Sequence, residues 1–198
     1  LGSLNYYIDL ILKDRPSVVY SKANFMDHNL ENDVSFTDNA FSNFKEEKIY
    51  RFSNGIEFYN FSKKFYCGLT GILLKRKDFI ESNPKALIGT CFMQSGSSMI
   101  MMSKKDSKVI IINKNLWDYR LGKKSSKIKT PEEIVSIGFG LLVVFNHIKE
   151  YYPKSLWIKL YMKELNWVRS LLIGIKSREG IPSKIQKEYL RLIDNDRK

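Results

Sequence analysis

The middle of the chain contains the stretch Met99-Ile100-Met101-Met102-Ser103-Lys104-Lys105-Asp106-Ser107-Lys108-Val109-Ile110-Ile111-Ile112. Two runs of four apolar residues, at 99–102 and 109–112, flank a polar turn. Neither run alternates with polar residues, so both predict strands that are buried on both faces of a sheet covered by helices. This hairpin indicates an α+β fold.

Further patterns predict an antiparallel sheet of about four to six strands over residues 49–120. Residues 49–52 and 56–59 flank Ser53-Asn54-Gly55, a signal typical of a β-hairpin turn. Additional strand candidates lie at 69–74, 86–92 and 18–20. The Ser/Gly stretch at 94–98 is most simply a turn, because no phosphate-loop lysine follows it.

Helices are predicted on either side of this sheet. Apolar residues at helical spacing predict a short N-terminal helix over residues 4–12, stopped before Pro16. Asp38 is expected to cap a short helix that reaches residue 44. A capping box that includes Pro131 predicts a long apolar helix to about residue 151, with a strand through 134–145 as the alternative. Two more helices follow, from Pro153 to about residue 180 and from about residue 181 onward.

These elements predict an α+β sheet domain over residues 4–129 and a helical segment over 130–198 that packs on it as one structural unit. Residues 1–3 resemble the remnant of tag removal, so native sequence is expected from about Leu4. The longest apolar run, 134–145, is shorter than the roughly 18–20 residues that cross a bilayer. No transmembrane segment and a cytoplasmic location are therefore expected.

Positive charge is distributed unevenly along the chain. The net charge is +12 over 198 residues, yet residues 1–20 are neutral and residues 21–60 carry −3, whereas residues 61–120 carry +7 and 121–198 carry +8. We therefore expect the later segments to meet a polyanion or an acidic partner.

Several lysine clusters fall at predicted turns or strand ends, where they could gather at one edge of the sheet. One such cluster is Lys104, Lys105 and Lys108. The residues predicted to bind a polyanion are Lys75, Arg76, Lys77, Lys123, Lys124, Lys127 and Lys129. The last four lie in a Gly/Ser/Lys loop that runs into a helix N-terminus, where ammonium and backbone N–H groups could meet a phosphate. The alternative is that these lysines are simply solvated.

No catalytic or metal-binding motif identifies an activity. The candidate catalytic residues, chosen by residue type alone, are Asp33, Asp38, Glu46, Glu57, Cys91 and His147. The four carboxylates could hold Mg²⁺ in a nuclease, and a Cys–His pair could activate a thiolate. Because Cys67, Cys91, His28 and His147 show no paired spacing, no zinc site, other metal site or cofactor is predicted.

One short segment near the end of the chain has a distant counterpart. Ser183-Lys184-Ile185-Gln186-Lys187-Glu188-Tyr189-Leu190-Arg191-Leu192-Ile193 resembles the first helix of a LuxR-type helix-turn-helix domain. The resemblance implies that the α+β part is similar to a sensory domain that precedes a DNA-binding one. It covers under a dozen residues and no recognition helix follows it.

Three functional hypotheses follow from these observations. The first is a non-catalytic regulatory or nucleic-acid-associated basic domain that binds a polyanion or an acidic partner. The second is a metal-dependent nuclease or transferase that uses the acidic first segment. The third is an effector, immunity or secretion-system module that docks an acidic protein, in which case the chain could be delivered to another cell's cytosol. The apolar faces of the C-terminal helices could also form a homodimer.

Overall fold

The computed structural model describes residues 2–26, 29, 43, 44, 46–62, 71–90, 92–120 and 131–176. These residues form an α+β structure, which confirms the predicted class. The helices and strands are α1 Gly2–Asp14, β1 Val18–Met26, β2 Ile49–Phe52, α2 Gly55–Ser62, β3 Ile72–Leu74, α3 Arg76–Glu81, α4 Met93–Ser103, β4 Val109–Arg120, α5 Pro131–Ile148 and α6 Lys154–Lys176. Short 3-10 helices span Pro84–Leu87 and Lys149–Tyr151.

The sheet has the strand order β2-β4-β1-β3 and is mixed. Its two outer strands pair antiparallel with their neighbours, as predicted, whereas the central strands β1 and β4 run parallel, with Val18 opposite Val109. The strand predicted at residues 18–20 therefore lies in the centre of the sheet, although the sheet was expected to begin near residue 49. The chain between the two central strands contains α2, α3 and α4, and such a long connection with helices is usual between parallel strands.

Alternate residues of the central strands face two separate hydrophobic cores. Val18 and Ile111 belong to the larger core, which α2, α4, α5 and α6 complete. Val19 and Ile110 belong to a smaller core beneath α1, whose Tyr7 and Leu10 cover that face of the sheet. Because both faces of the sheet are covered, the sequences of these strands are continuous apolar runs and do not alternate between apolar and polar residues.

The strand predicted at residues 99–102 is wrong, because these residues belong to helix α4. This helix is buried from Ser95 to Met102, so an apolar run within it has no polar face to reveal the helical period. The stretch at 94–98 is consequently not a turn. Its small side chains allow close packing, since a Cβ on Gly96 would lie 2.6 Å from Leu87 and 3.0 Å from Val144.

Two other predicted strands are also replaced by helical structure. Residues 56–59 lie in α2, because Asn54 accepts a hydrogen bond from the Glu57 N–H (3.0 Å) and Glu57 accepts one from the Ser53 N–H (2.7 Å). These contacts are helix-capping contacts, so the Ser-Asn-Gly signal marks a helix start rather than a hairpin. Residues 86 and 87 end a 3-10 helix and residues 88–90 form a turn and bend, whereas residue 91 lies outside the described residues.

The C-terminal helices begin where the sequence predicts them. α5 starts at Pro131 and is a helix rather than the alternative strand, and α6 starts just after Pro153. Gly138 allows their close approach, since a Cβ there would lie 3.2 Å from Val168. Among the described helices, none combines the length and hydropathy needed to cross a membrane. The helix predicted beyond residue 181 lies outside the described residues, as does most of the one predicted near Asp38, whose described end at Asn43 and Phe44 is not helical.

Gly55 marks the close contact between α2 and the end of α4. A Cβ at this position would lie 2.7 Å from the backbone oxygen of Met102, so either helix must shift to accept it. Gly55→Ala should therefore lower the free energy of unfolding by about 1–3 kcal/mol, measured by urea denaturation. Asn60→Ala, an exposed change in the same helix, should leave it within about 0.5 kcal/mol.

Glu164 on α6 is an acidic group in a mostly buried position. Burial raises the pKa of its carboxyl above the ordinary value of 4.5, and the neighbouring Lys163 offsets only part of that rise. The folded state thus favours the protonated acid, so the stability that this group supplies is present below pH 4.5 and is lost as pH rises through the folded pKa. Glu164→Gln should raise the melting temperature at pH 7, and the gain should vanish in acid. Glu150→Gln, which makes the same change at an exposed position, is the matched control.

Candidate polyanion-binding site

One edge of the sheet collects loops from four distant parts of the sequence. The N-terminal ends of β1 and β4 lie beside the C-terminal ends of β2 and β3, because Val18 pairs with both Leu74 and Val109, and Phe52 pairs with Val109. The chain turns that precede β1 and β4 therefore meet those that follow β2 and β3.

This edge is rich in basic side chains, and we call it the basic edge. Its eight members are Arg15, Arg51, Lys75, Arg76, Lys77, Lys104, Lys105 and Lys108, and all are exposed. Four acidic residues accompany them, namely Asp14, Asp78, Glu81 and Asp106. Cations therefore outnumber anions two to one at this edge.

Ion pairs with acidic side chains neutralise part of this positive charge. Arg51 donates hydrogen bonds from Nη2 (2.9 Å) and Nε (3.1 Å) to the same carboxylate oxygen of Asp14. Lys104 contacts Glu81 at 2.6 Å, and this hydrogen bond lowers the pKa of the Glu81 carboxyl.

Other cations of the basic edge remain available to an external anion. Lys75 lies 3.4 Å from Asp78, a looser pair than the two above. Among the described residues, ion pairs within 4.0 Å do not include Arg15, Arg76, Lys77, Lys105 or Lys108. These five exposed cations can meet an incoming anion without first breaking an ion pair.

A groove of about 410 Å³ opens at the β2–β4 end of the basic edge. Its charged lining comprises Asp14, Arg51, Lys105, Asp106 and Lys108, and its apolar lining comprises Phe52, Val109 and Ile110. Three cations and two carboxylates face this space, so its lining carries one net positive charge and offers both hydrogen-bond donors and acceptors.

The loop before β4 is held by its own hydrogen bonds. The buried Ser107 hydroxyl lies 2.7 Å from the carbonyl oxygens of both Met102 and Lys104. Further along, the Lys108 carbonyl accepts from the Ser17 N–H (2.9 Å), and the Ser17 carbonyl accepts from the Lys75 N–H (3.0 Å). Backbone hydrogen bonds therefore connect the ends of β4, β1 and β3 beneath the cations.

The predicted polyanion-binding residues divide into two groups. Lys75, Arg76 and Lys77 lie at the basic edge, with Arg76 starting α3 rather than sitting in a turn. Lys123, Lys124, Lys127 and Lys129 lie outside the described residues. Sequence reasoning missed Arg15 and Arg51, since an isolated arginine shows its position only when the strand register is known.

The candidate catalytic residues that can be located are not brought into one site. Glu46 precedes β2 and pairs with Lys48, whereas Glu57 lies beyond the other end of β2 and caps α2. His147 lies on α5, with its ring 6.4 Å from that of Tyr151. Asp33, Asp38 and Cys91 lie outside the described residues. Within the described part of the chain, no group of three or more potential metal ligands occurs.

Comparisons with protein-family models and with curated proteins find no match for this chain.

Ser107 offers a direct test of how the loop before β4 is held. Ser107→Ala removes the hydroxyl that satisfies the buried end of α4, so it should lower the free energy of unfolding by about 1 kcal/mol. Chemical denaturation measures this change. Ser103→Ala removes a hydroxyl that bonds only within the helix, to Ile100, and should have a smaller effect. Equal losses of stability in the two variants would contradict the role assigned to Ser107.

Proposed function

We propose that this protein is a non-catalytic binding domain whose basic edge holds a polyanion. The observation that supports this proposal is the convergence of eight exposed cations from four sequence segments on one edge of the sheet. Such convergence gives a local excess of positive charge that the isolated clusters would lack.

The dimensions of the edge suit a polymeric anion. Four strands separated by about 4.8 Å give an edge roughly 14 Å wide. A nucleic acid duplex presents about one charge per 1.7 Å of its axis, so several phosphates could face this width together. The cations would meet phosphates rather than base edges, which supports binding without sequence preference.

Binding of labelled double-stranded DNA, single-stranded DNA and RNA over a range of salt tests the proposal. The informative variant replaces Arg76, Lys77, Lys105 and Lys108 by Ala, because these cations lie outside the ion pairs of the edge. We expect weaker binding and a salt slope reduced by up to about 3.6, because each phosphate of duplex DNA that a cation neutralises contributes about 0.9 to the slope.

A matched control removes the same charge elsewhere. Lys149, Lys154, Lys159 and Arg169 are exposed on the C-terminal helical segment, and their replacement by Ala should leave the slope nearly unchanged. Equal effects of the two quadruple variants would reject the basic edge as the site. A third variant, with Lys123, Lys124, Lys127 and Lys129 replaced by Ala, measures the contribution of the predicted Gly/Ser/Lys loop. Cleavage of any probe in the presence of Mg²⁺ would replace the proposal with the nuclease alternative.

A further inference from the structure

Helix α1 exposes an apolar stripe beside the basic edge. Its members are Leu4, Ile8, Ile11 and Leu12, which are 57%, 44%, 40% and 69% exposed. At 100° per residue, these four side chains fall within one sector of the helix, separate from the sector of Tyr7 and Leu10 that covers the sheet. The helix thus has one apolar sector for the sheet and a second that faces solvent.

The polar residues of α1 do not interrupt this stripe. Asn5, Asp9 and Lys13 lie outside this sector on the side that also faces solvent, with Asn5 directly beside Leu12 around the helix. The stripe extends for about 12 Å along the helix axis, at 1.5 Å per residue. An apolar surface of this length is available to an external partner.

The stripe leads directly to the basic edge. Leu12 is followed by Asp14, whose carboxylate is held by Arg51, and by Arg15, whose positive φ of 49° turns the chain back into β1. The Lys108 ammonium also lies 3.3 Å from the Asp14 carbonyl, so the loop before β4 contacts the end of α1. Apolar and cationic surfaces are therefore contiguous.

We propose that this combined surface docks on an anionic lipid bilayer, with the α1 stripe in the interfacial region and the basic edge against the headgroups. This inference rests on the proposed function, since it assigns the polyanion of the basic edge to a membrane surface. Amphipathic helices with an apolar face and adjacent cations bind in this way, by apolar burial together with attraction to anionic lipids.

Charge complementarity favours the bilayer over other occupants. A nucleic acid would match the cations but leave the apolar stripe in water. A second copy of the chain would cover the stripe but bring another cationic edge beside the first, and a 13-residue helix offers little of the roughly 800 Å² per partner that stable dimers bury. An anionic bilayer supplies both apolar and negatively charged groups.

Co-sedimentation of the full chain with vesicles tests the inference. The wild-type protein should partition onto vesicles of phosphatidylcholine and phosphatidylserine, but not onto vesicles of phosphatidylcholine alone. Ile8→Gln with Leu12→Gln should reduce this partition by about tenfold for each side chain, because neither glutamine gains free energy from apolar burial in the interface. The same double variant should bind duplex DNA with unchanged affinity.

The matched control is Ile158→Gln with Met162→Gln. These residues are also one helical turn apart, and they are 40% and 44% exposed on α6, which packs on the opposite side of the sheet from α1. This control should leave vesicle binding unchanged. The melting temperature of every variant checks folding, and Leu12→Gln alone, at the most exposed position of the stripe, replaces the double variant if the latter unfolds.

The remaining outcomes separate the two proposals. DNA binding without vesicle binding would overturn the membrane inference and leave the proposed function standing. Unchanged vesicle partition of the Ile8/Leu12 variant would also overturn the inference, as would a concentration-dependent dimer that only this variant abolishes. Failure to bind either vesicles or nucleic acid at low salt would overturn both.

Discussion

The parallel pairing of β1 with β4 is the interaction on which the rest of this structure depends. Val18 to Tyr20 and Val109 to Ile112 are almost completely buried, so a sheet containing them must be covered on both faces. Tyr7 and Leu10 of α1 cover one face. The other face is covered by α4, to which Tyr20 is tied by a 2.7 Å hydrogen bond between its hydroxyl and that of Ser98.

The same pairing aligns the chain ends that form the basic edge. In a parallel pair both strands start at the same edge, so the turn after α1 and the loop after α4 are brought together. The antiparallel outer strands end at that edge and add the residues that follow them, including Lys75. The concentration of charge is therefore a consequence of strand direction.

Much of the fold could be predicted from the sequence where local patterns are decisive. The capping residues before α5 and the proline before α6 place both helix starts, and the Val109–Ile112 run is a buried strand. The Met99–Met102 run looks equally apolar yet is helical, because a helix buried on all sides loses the amphipathic period. The Ser-Asn-Gly signal before α2 failed for a different reason: Asn54 and Glu57 satisfy the helix N-terminus, which competes with a hairpin turn.

The site was less predictable than the fold, because its composition depends on long-range register. Lys75, Arg76 and Lys77 form a visible run, whereas Arg51 becomes part of the edge only because β2 pairs with β4. The backbone beneath these cations is cross-linked by the hydrogen bonds of Ser17 and Ser107, so the proposed binding of an anion would cost little main-chain freedom. The side chains of Lys77 and Lys105 are exposed and lie outside the ion pairs of the edge, which would suit contact with a surface or polymer whose charges are not fixed in one pattern. The hydrogen-bonded backbone of the edge thus sets where positive charge is presented, and the exposed ammonium groups are what the proposed polyanion would contact.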